Sequence, residues 1–278
     1  MDVWHVVAAL VSAALHAGWN AALKAQARPA EVMTSQMLIG AAVAAPVMLW
    51  TGLPAQSSWP WLAGSTICNM VTVVALLRAY ELVGFGMAYP VIRALAVLLV
   101  VPAASALSGE QLSLAGLAGI GLMIASLAAL AADHARGPAV GRQALGWIAV
   151  AGVGTAAYVL CDAQGVRAAG APLAYGVLAA ISNAVAMTAM QRARFGGWRV
   201  SRESLAAAIP IALASMASYL LILWVWTGAP IAPAAALRDT SAVFAILIAV
   251  VWLKEPFTPF RLGAVALSAA AVPLLRFA

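Results

Sequence analysis

Apolar runs of roughly twenty residues, broken by single charges, Pro/Gly turns or tryptophans, recur from one end of this chain to the other. A run of that length is what an α-helix needs to cross about 30 Å of hydrocarbon at about 1.5 Å per residue. A soluble fold offers no interior for so many of them. Of 278 residues 65% are apolar and 9% charged, and the mean hydropathy is +0.99, so lipid is the expected solvent. After about ten spans and their turns, little chain remains for a domain outside the bilayer.

Breaks at charges and Pro/Gly clusters predict ten helices at 3–24, 31–50, 59–81, 85–107, 111–131, 144–166, 172–193, 203–226, 230–252 and 259–276. Trp4, Trp50, Trp59, Trp61, Trp147, Trp198 and Trp252 fall near segment ends, as an aromatic belt requires. The start, Met1-Asp2-Val3-Trp4-His5, lacks the basic stretch of a cleaved signal peptide. The formal charge of +6 does not point to nucleic acid, because the basic residues are scattered at the ends of apolar runs. Cys68 and Cys161 lie within apolar segments without metal-ligand spacing and read as packing residues. No G-x-x-x-x-G-K-[ST] occurs, so no ATPase in this chain drives its work, and no cofactor is expected.

The longest polar stretch, residues 133–143, divides the chain into 1–132 and 144–278, five predicted helices on each side. Arg93 precedes Glu110 by 17 residues and Arg238 precedes Glu255 by the same number, which suggests an internal repeat. Five is odd, so the second half must enter the membrane from the opposite side. The expected fold is an all-α membrane protein built as a 5+5 inverted repeat, an architecture that favours a central site exposed to each side in turn. Lys24, Arg28, Arg136, Arg142, Arg192, Arg194, Arg199, Arg202, Lys254 and Arg261 fall on the loops of one face, against Arg167 and Arg276 on the other. The positive-inside rule then puts both termini outside, in the periplasm if the membrane is a bacterial inner membrane.

Arg93 and Arg238 lie about 12–14 Å along their helices. Each costs about 2.5–3.5 kcal/mol to insert there, so each needs a partner. They read either as ligands of a substrate carboxylate, which arginine binds with two parallel hydrogen bonds, or as members of structural ion pairs. Asp162 and Asp239 are candidate proton-coupling acids, with Asp239 alternatively the partner of an arginine. His16 and Asn20 share a face of the first helix, and Asn20 and Trp19 are candidate cavity residues. Tyr80, Tyr89, Tyr158, Tyr219 and Trp224, away from the belt, are candidate walls, with Asn69 and Asn183 as further polar liners. Pro90, Pro102, Pro210 and Pro233 are candidate bends. The three histidines, at 5, 16 and 134, are far apart, and no catalytic set is legible, so an enzyme is not expected.

Leu15-His16-Ala17-Gly18-Trp19-Asn20-Ala21-Ala22-Leu23-Lys24, together with Ser108-Gly109-Glu110 and Leu253-Lys254-Glu255-Pro256, resembles the drug/metabolite transporter superfamily, and within it the ten-helix EamA-type exporters. The resemblance covers essentially the whole chain. It implies a cavity lined mainly by helices 1, 3, 4, 6, 8 and 9 and export of amino acids or related metabolites, with the aromatic and neutral amino-acid exporters as the nearest branch. Family members commonly have cytoplasmic termini, and the loop charges here point the other way. Efflux of cationic drugs is the alternative cargo. A small-molecule substrate and the bilayer are the expected partners, a monomer suffices, and a dimer is left open.

Overall fold

The computed structural model describes residues 1–134, 140–196, 200–252 and 257–278. Among them every regular element is helical: α1 Val3–Lys24, α2 Pro29–Thr51, α3 Trp59–Val83, α4 Phe85–Ser108, α5 Leu114–His134, α6 Arg142–Ala169, α7 Pro172–Phe195, α8 Arg202–Gly228, α9 Ile231–Asp239, α10 Ser241–Trp252 and α11 Pro259–Arg276, with a 3₁₀ turn at Gln56–Ser58 before α3. Ten segments are long and apolar enough to span a membrane, the ninth running from Ile231 to Ile248 across α9 and α10. The predicted helices are therefore present, with ends displaced by a few residues.

Local chemistry sets those ends. Pro29, Pro172 and Pro259 each open a helix, where a missing N–H costs nothing. Ser201 and Ser204 cap each other's backbone at the start of α8, and Thr258 accepts from the Arg261 N–H at the start of α11. Gly84, at φ 77°, serves as both the end of α3 and the start of α4, a reversal of one residue that a side chain would strain.

The ninth span is broken near its middle. Pro233 lies in the first turn of α9, and the helix instead stops at Asp239 and restarts at Ser241. At the break, Thr240 sends both its N–H (3.2 Å) and its hydroxyl (2.7 Å) to the Leu237 carbonyl, a three-residue closure tighter than the α-helical four. Every residue of α9 is buried, so this break sits at the centre of the bundle.

The main packing runs between the first five spans and the last five: α3 and α4 against α6, α1 against α8, α2 against α7, and α5 against α11. Small residues permit it. A Cβ on Gly154 of α6 would come within 2.4 Å of the Thr72 hydroxyl on α3, and one on Gly152 within 2.6 Å of Leu95 on α4. Between α1 and α8, the hydroxyls of Ser12 and Ser218 each donate to the other's carbonyl at 2.7 Å. Large apolar side chains such as Leu49, Trp50 and Leu114 are turned outward, as expected of a lipid-facing surface.

Both ends of the chain lie on one face, where the Met1 ammonium donates to the Arg276 carbonyl and Ser113 donates to the Phe277 carbonyl at 2.8 Å. This terminal face also carries the α2–α3, α4–α5, α6–α7 and α8–α9 connections. The opposite, basic face carries the α1–α2 and α3–α4 connections, and Arg78 near the end of α3 adds to its charge. Arg261 on the basic face is no free loop anchor, because it is buried and paired with Asp133 at 3.0 Å. Arg136 of the linker, Trp198, Arg199, Lys254 and Glu255 lie outside the described residues, so the second half of the Arg-to-Glu spacing is not placed.

Candidate functional site

A cavity of about 280 Å³ opens among α1, α2, α3, α4, α6, α7, α8 and α9. Its lining runs from Asp162, Tyr219 and Arg238 near mid-span to Leu23 at the end of α1, Met33 at the start of α2 and Tyr80 near the end of α3, all at the basic face. Six of these helices are the set that the resemblance implies. The additions are α2, through Gln36, Met37 and Gly40, and α7, through Ala180 and Asn183.

The two deep arginines are held differently. Arg93 on α4 forms an ion pair with Asp239 at the end of α9, both side chains almost wholly buried. The Tyr158 hydroxyl lies beside this guanidinium, and the Tyr89 ring is 5.9 Å from it. Tyr89 is fixed in turn by Ser241, hydroxyl to hydroxyl at 3.1 Å, just past the helix break. Arg238 forms no ion pair among the described residues, and its Nε and Nη1 have no hydrogen-bond partner although the residue is only 5% exposed. It occupies the last turn of α9, where the helix dipole favours a cation but supplies no acceptor to satisfy the fork.

Asp162 on α6, 2% exposed, accepts from the Tyr175 hydroxyl at 3.1 Å, with the Ser65 and Tyr219 hydroxyls beside it. Gly165 makes room for this arrangement, since a Cβ there would meet the Tyr175 hydroxyl at 2.4 Å. No basic group forms an ion pair with Asp162 among the described residues. Toward the basic face, Asn69 donates to Asn183 at 3.1 Å, bridging α3 and α7. Gln36 donates to Ser215 at 2.9 Å, bridging α2 and α8. Asn20 turns its amide back to the His16 carbonyl at 2.7 Å, and the His16 and Trp19 rings meet edge to face at 5.0 Å.

At the terminal face a polar lattice joins the helices beyond the cavity. The Glu110 carboxylate accepts from the Ile231 N–H at 2.8 and 2.9 Å and from the Ala232 N–H at 3.4 Å, capping α9. Arg167 at the end of α6 reaches Glu110 at 3.3 Å, the Trp226 carbonyl at 2.9 Å and the Ala229 carbonyl at 2.8 Å. Gln164 donates to Ser108 at 2.5 Å, and Ser57 to the Ala168 carbonyl at 3.0 Å. The α4–α5, α6–α7 and α8–α9 connections are thereby tied together.

Of the residues expected from sequence, Trp19, Asn20, Tyr80, Tyr89, Arg93, Tyr158, Asp162, Tyr219 and Arg238 all line the cavity. Asp239 lies just beyond it, against Arg93. Trp224 does not join them: it is 41% exposed and its ring packs against His5 at 4.9 Å. Sequence reasoning missed Gln36, Ser65, Thr155 and Ser215 in the lining. Gln36 closes the polar triplet Thr34-Ser35-Gln36 in an otherwise apolar stretch of α2, and that triplet was the available signal.

The fold and this site define a multi-pass α-helical membrane protein with a charged cavity at mid-span. No family model and no curated protein matches the chain. A protein known from its crystal structure superposes with a TM-score of 0.76 over 97% of this chain and 94% of its own, at 18% identity. A likeness at that identity speaks for the fold alone.

Proposed function

We propose that this protein is a secondary active transporter that exports amino acids or related small metabolites by alternating access, as the resemblance to the EamA-type drug/metabolite transporters implies. One observation carries the reading: Arg238, a buried guanidinium on the cavity wall that forms no ion pair among the described residues. A charge at that depth is retained only where something neutralises it, and a planar fork with unmet N–H groups matches a carboxylate. Arg93 is already neutralised by Asp239, which leaves Arg238 as the substrate-binding arginine of the pair. Tyr80, Tyr89, Tyr158, Tyr219 and Trp19 then form the apolar walls for a small side chain.

The helix pairing supports the 5+5 inverted repeat. Exchanging each span with the one five places along the chain turns α1–α8 into α6–α3. It turns α4–α6 into the contact of the ninth span with α1, and returns α2–α7 and α5–α11 to themselves. A pseudo-two-fold relation between the halves would produce such an exchange, and an odd number of spans in each half would lay its axis in the membrane plane. With the basic face cytoplasmic by the positive-inside rule, the cavity faces inward, the Glu110–Arg167 lattice is the closed periplasmic side, and both termini are periplasmic in a bacterial inner membrane. Transport then requires the lattice to open while the basic side closes.

Export of cationic drugs is the second reading, and Asp162 favours it, as an acid on the cavity wall that forms no ion pair among the described residues. Labelled neutral and aromatic amino acids and a set of lipophilic cations, offered to liposomes containing the purified protein, separate the two. Amino-acid exchange above empty vesicles is the expected result. Cation flux without amino-acid flux overturns it.

A further inference from the structure

A second, much smaller void lies on the terminal-face side of the arginines. Arg93, Thr155, Trp226, Arg238 and Asp239 supply its polar lining, and every residue around it is buried. Its volume, about 10 Å³, leaves room for the centre of one water-sized occupant and no more.

The unmet groups of this lining are all donors. Arg93 Nε, Arg238 Nε and Nη1, and Trp226 Nε1 are buried without an acceptor. Trp226 is 0% exposed and does not line the main cavity, so its indole N–H is no part of the cargo site. Buried indole N–H groups ordinarily find an acceptor, and here none of the described protein groups provides one. Acceptors in the lining are few: Asp239 is paired through one oxygen with Arg93, and the Thr155 hydroxyl gives its hydrogen to the Ala151 carbonyl at 2.7 Å. Two guanidiniums against one carboxylate leave the lining with an excess positive charge. A water molecule accepts from two of these donors at most and leaves that charge in place. An anion accepts from every donor and neutralises the charge.

We infer that this void is a binding site for one small inorganic anion of halide size, held between the Trp226 indole and the guanidiniums of Arg93 and Arg238. The site shares Arg238 with the proposed cargo cavity, but it stands on Trp226 and Arg93 and does not depend on the protein being a transporter. Its occupant ties α4, α8 and α9 together immediately beside the broken ninth span, so occupancy stabilises the fold.

The test is thermal unfolding of the purified, cargo-free protein in sodium chloride, bromide, sulfate and gluconate at matched ionic strength. Chloride and bromide should raise the melting temperature by several degrees over gluconate and sulfate, which are too large for the void. Trp226→Phe keeps an aromatic ring but removes the N–H donor, and it should shift the halide midpoint by about tenfold relative to the same variant's gluconate baseline. Crystals grown in bromide should show anomalous density in the void. Identical melting in all four salts, a halide effect unchanged in Trp226→Phe, or a void without anomalous signal each overturns the inference. Failure of amino-acid flux, with the halide effect intact, counts against the transport reading alone.

Discussion

Arg93 and Arg238 occupy comparable depths in their spans, yet their surroundings predict opposite mutational outcomes. Arg93→Gln leaves Asp239 as an unpaired buried carboxylate, a loss expected to cost about 3–5 kcal/mol. Detergent-solubilised Arg93→Gln should therefore melt well below the parent, and the double variant with Asp239→Asn should regain a large part of the difference. Arg238→Gln removes no ion pair, so its melting temperature should change far less, while carboxylate transport should be lost. Arg238→Lys keeps the charge without the planar fork and should fall between parent and Gln variant in flux. Unfolding of Arg238→Gln as severe as that of Arg93→Gln would make both arginines structural. Sequence alone could not divide the roles, because the pairing depends on the break after Asp239 and on which neighbour faces it. The same holds for the two tryptophans of α8: Trp224 and Trp226 are two positions apart, which on a helix sends one outward and the other into the core.

At the scale of the helices, the span boundaries were legible because charges, prolines and glycines mark them with local chemistry. The break in the ninth span was not. Pro233 marks the expected bend, but it sits in the first turn, where proline is accommodated. The break instead follows from a threonine bonding back to its own helix, a pattern no spacing rule singles out. The contributions of α2 and α7 to the cavity were hidden for a related reason: the triplet Thr34-Ser35-Gln36 on α2 reads equally well as a packing contact. Close approach of helices at glycine yields an element-scale prediction. Gly154→Val drives a side chain into Thr72 across the α3–α6 contact and should sharply reduce folded yield, whereas Gly121→Ala, with nothing within 4 Å of the added carbon, should be neutral in the same expression and melting assay. Glu110→Ala removes the carboxylate from two α9 N–H groups and from Arg167. It should cost about 1 kcal/mol or more as a lost cap and admit membrane-impermeant thiol reagents to a cysteine placed at Ala235 from the terminal face. Unchanged labelling would mean that the Glu110–Arg167 lattice does not close that face.

For the whole molecule, the ten spans and the shared face of the termini leave two orientations, and the loop charges choose between them. Reporter enzymes fused to either terminus should be active only on the outside of the cytoplasmic membrane, and cytoplasmic activity at both ends would invert the proposed direction of the cavity. The sequence hint of the proposed repeat is the equal spacing of Arg93 to Glu110 and Arg238 to Glu255, of which Glu255 lies outside the described residues. The exchange pattern of helix contacts supplies the support that spacing could not, because contacts between distant spans leave no mark on either span alone. The central claim, that the cavity carries a small molecule by its carboxylate on Arg238, is tested most directly by counterflow in proteoliposomes. A labelled neutral amino acid is trapped inside, and its release is driven by either the unlabelled amino acid or its carboxamide supplied outside. The account predicts exchange with the acid, little with the amide, and neither in Arg238→Gln. Equal exchange with acid and amide, or undiminished exchange in Arg238→Gln, would contradict it.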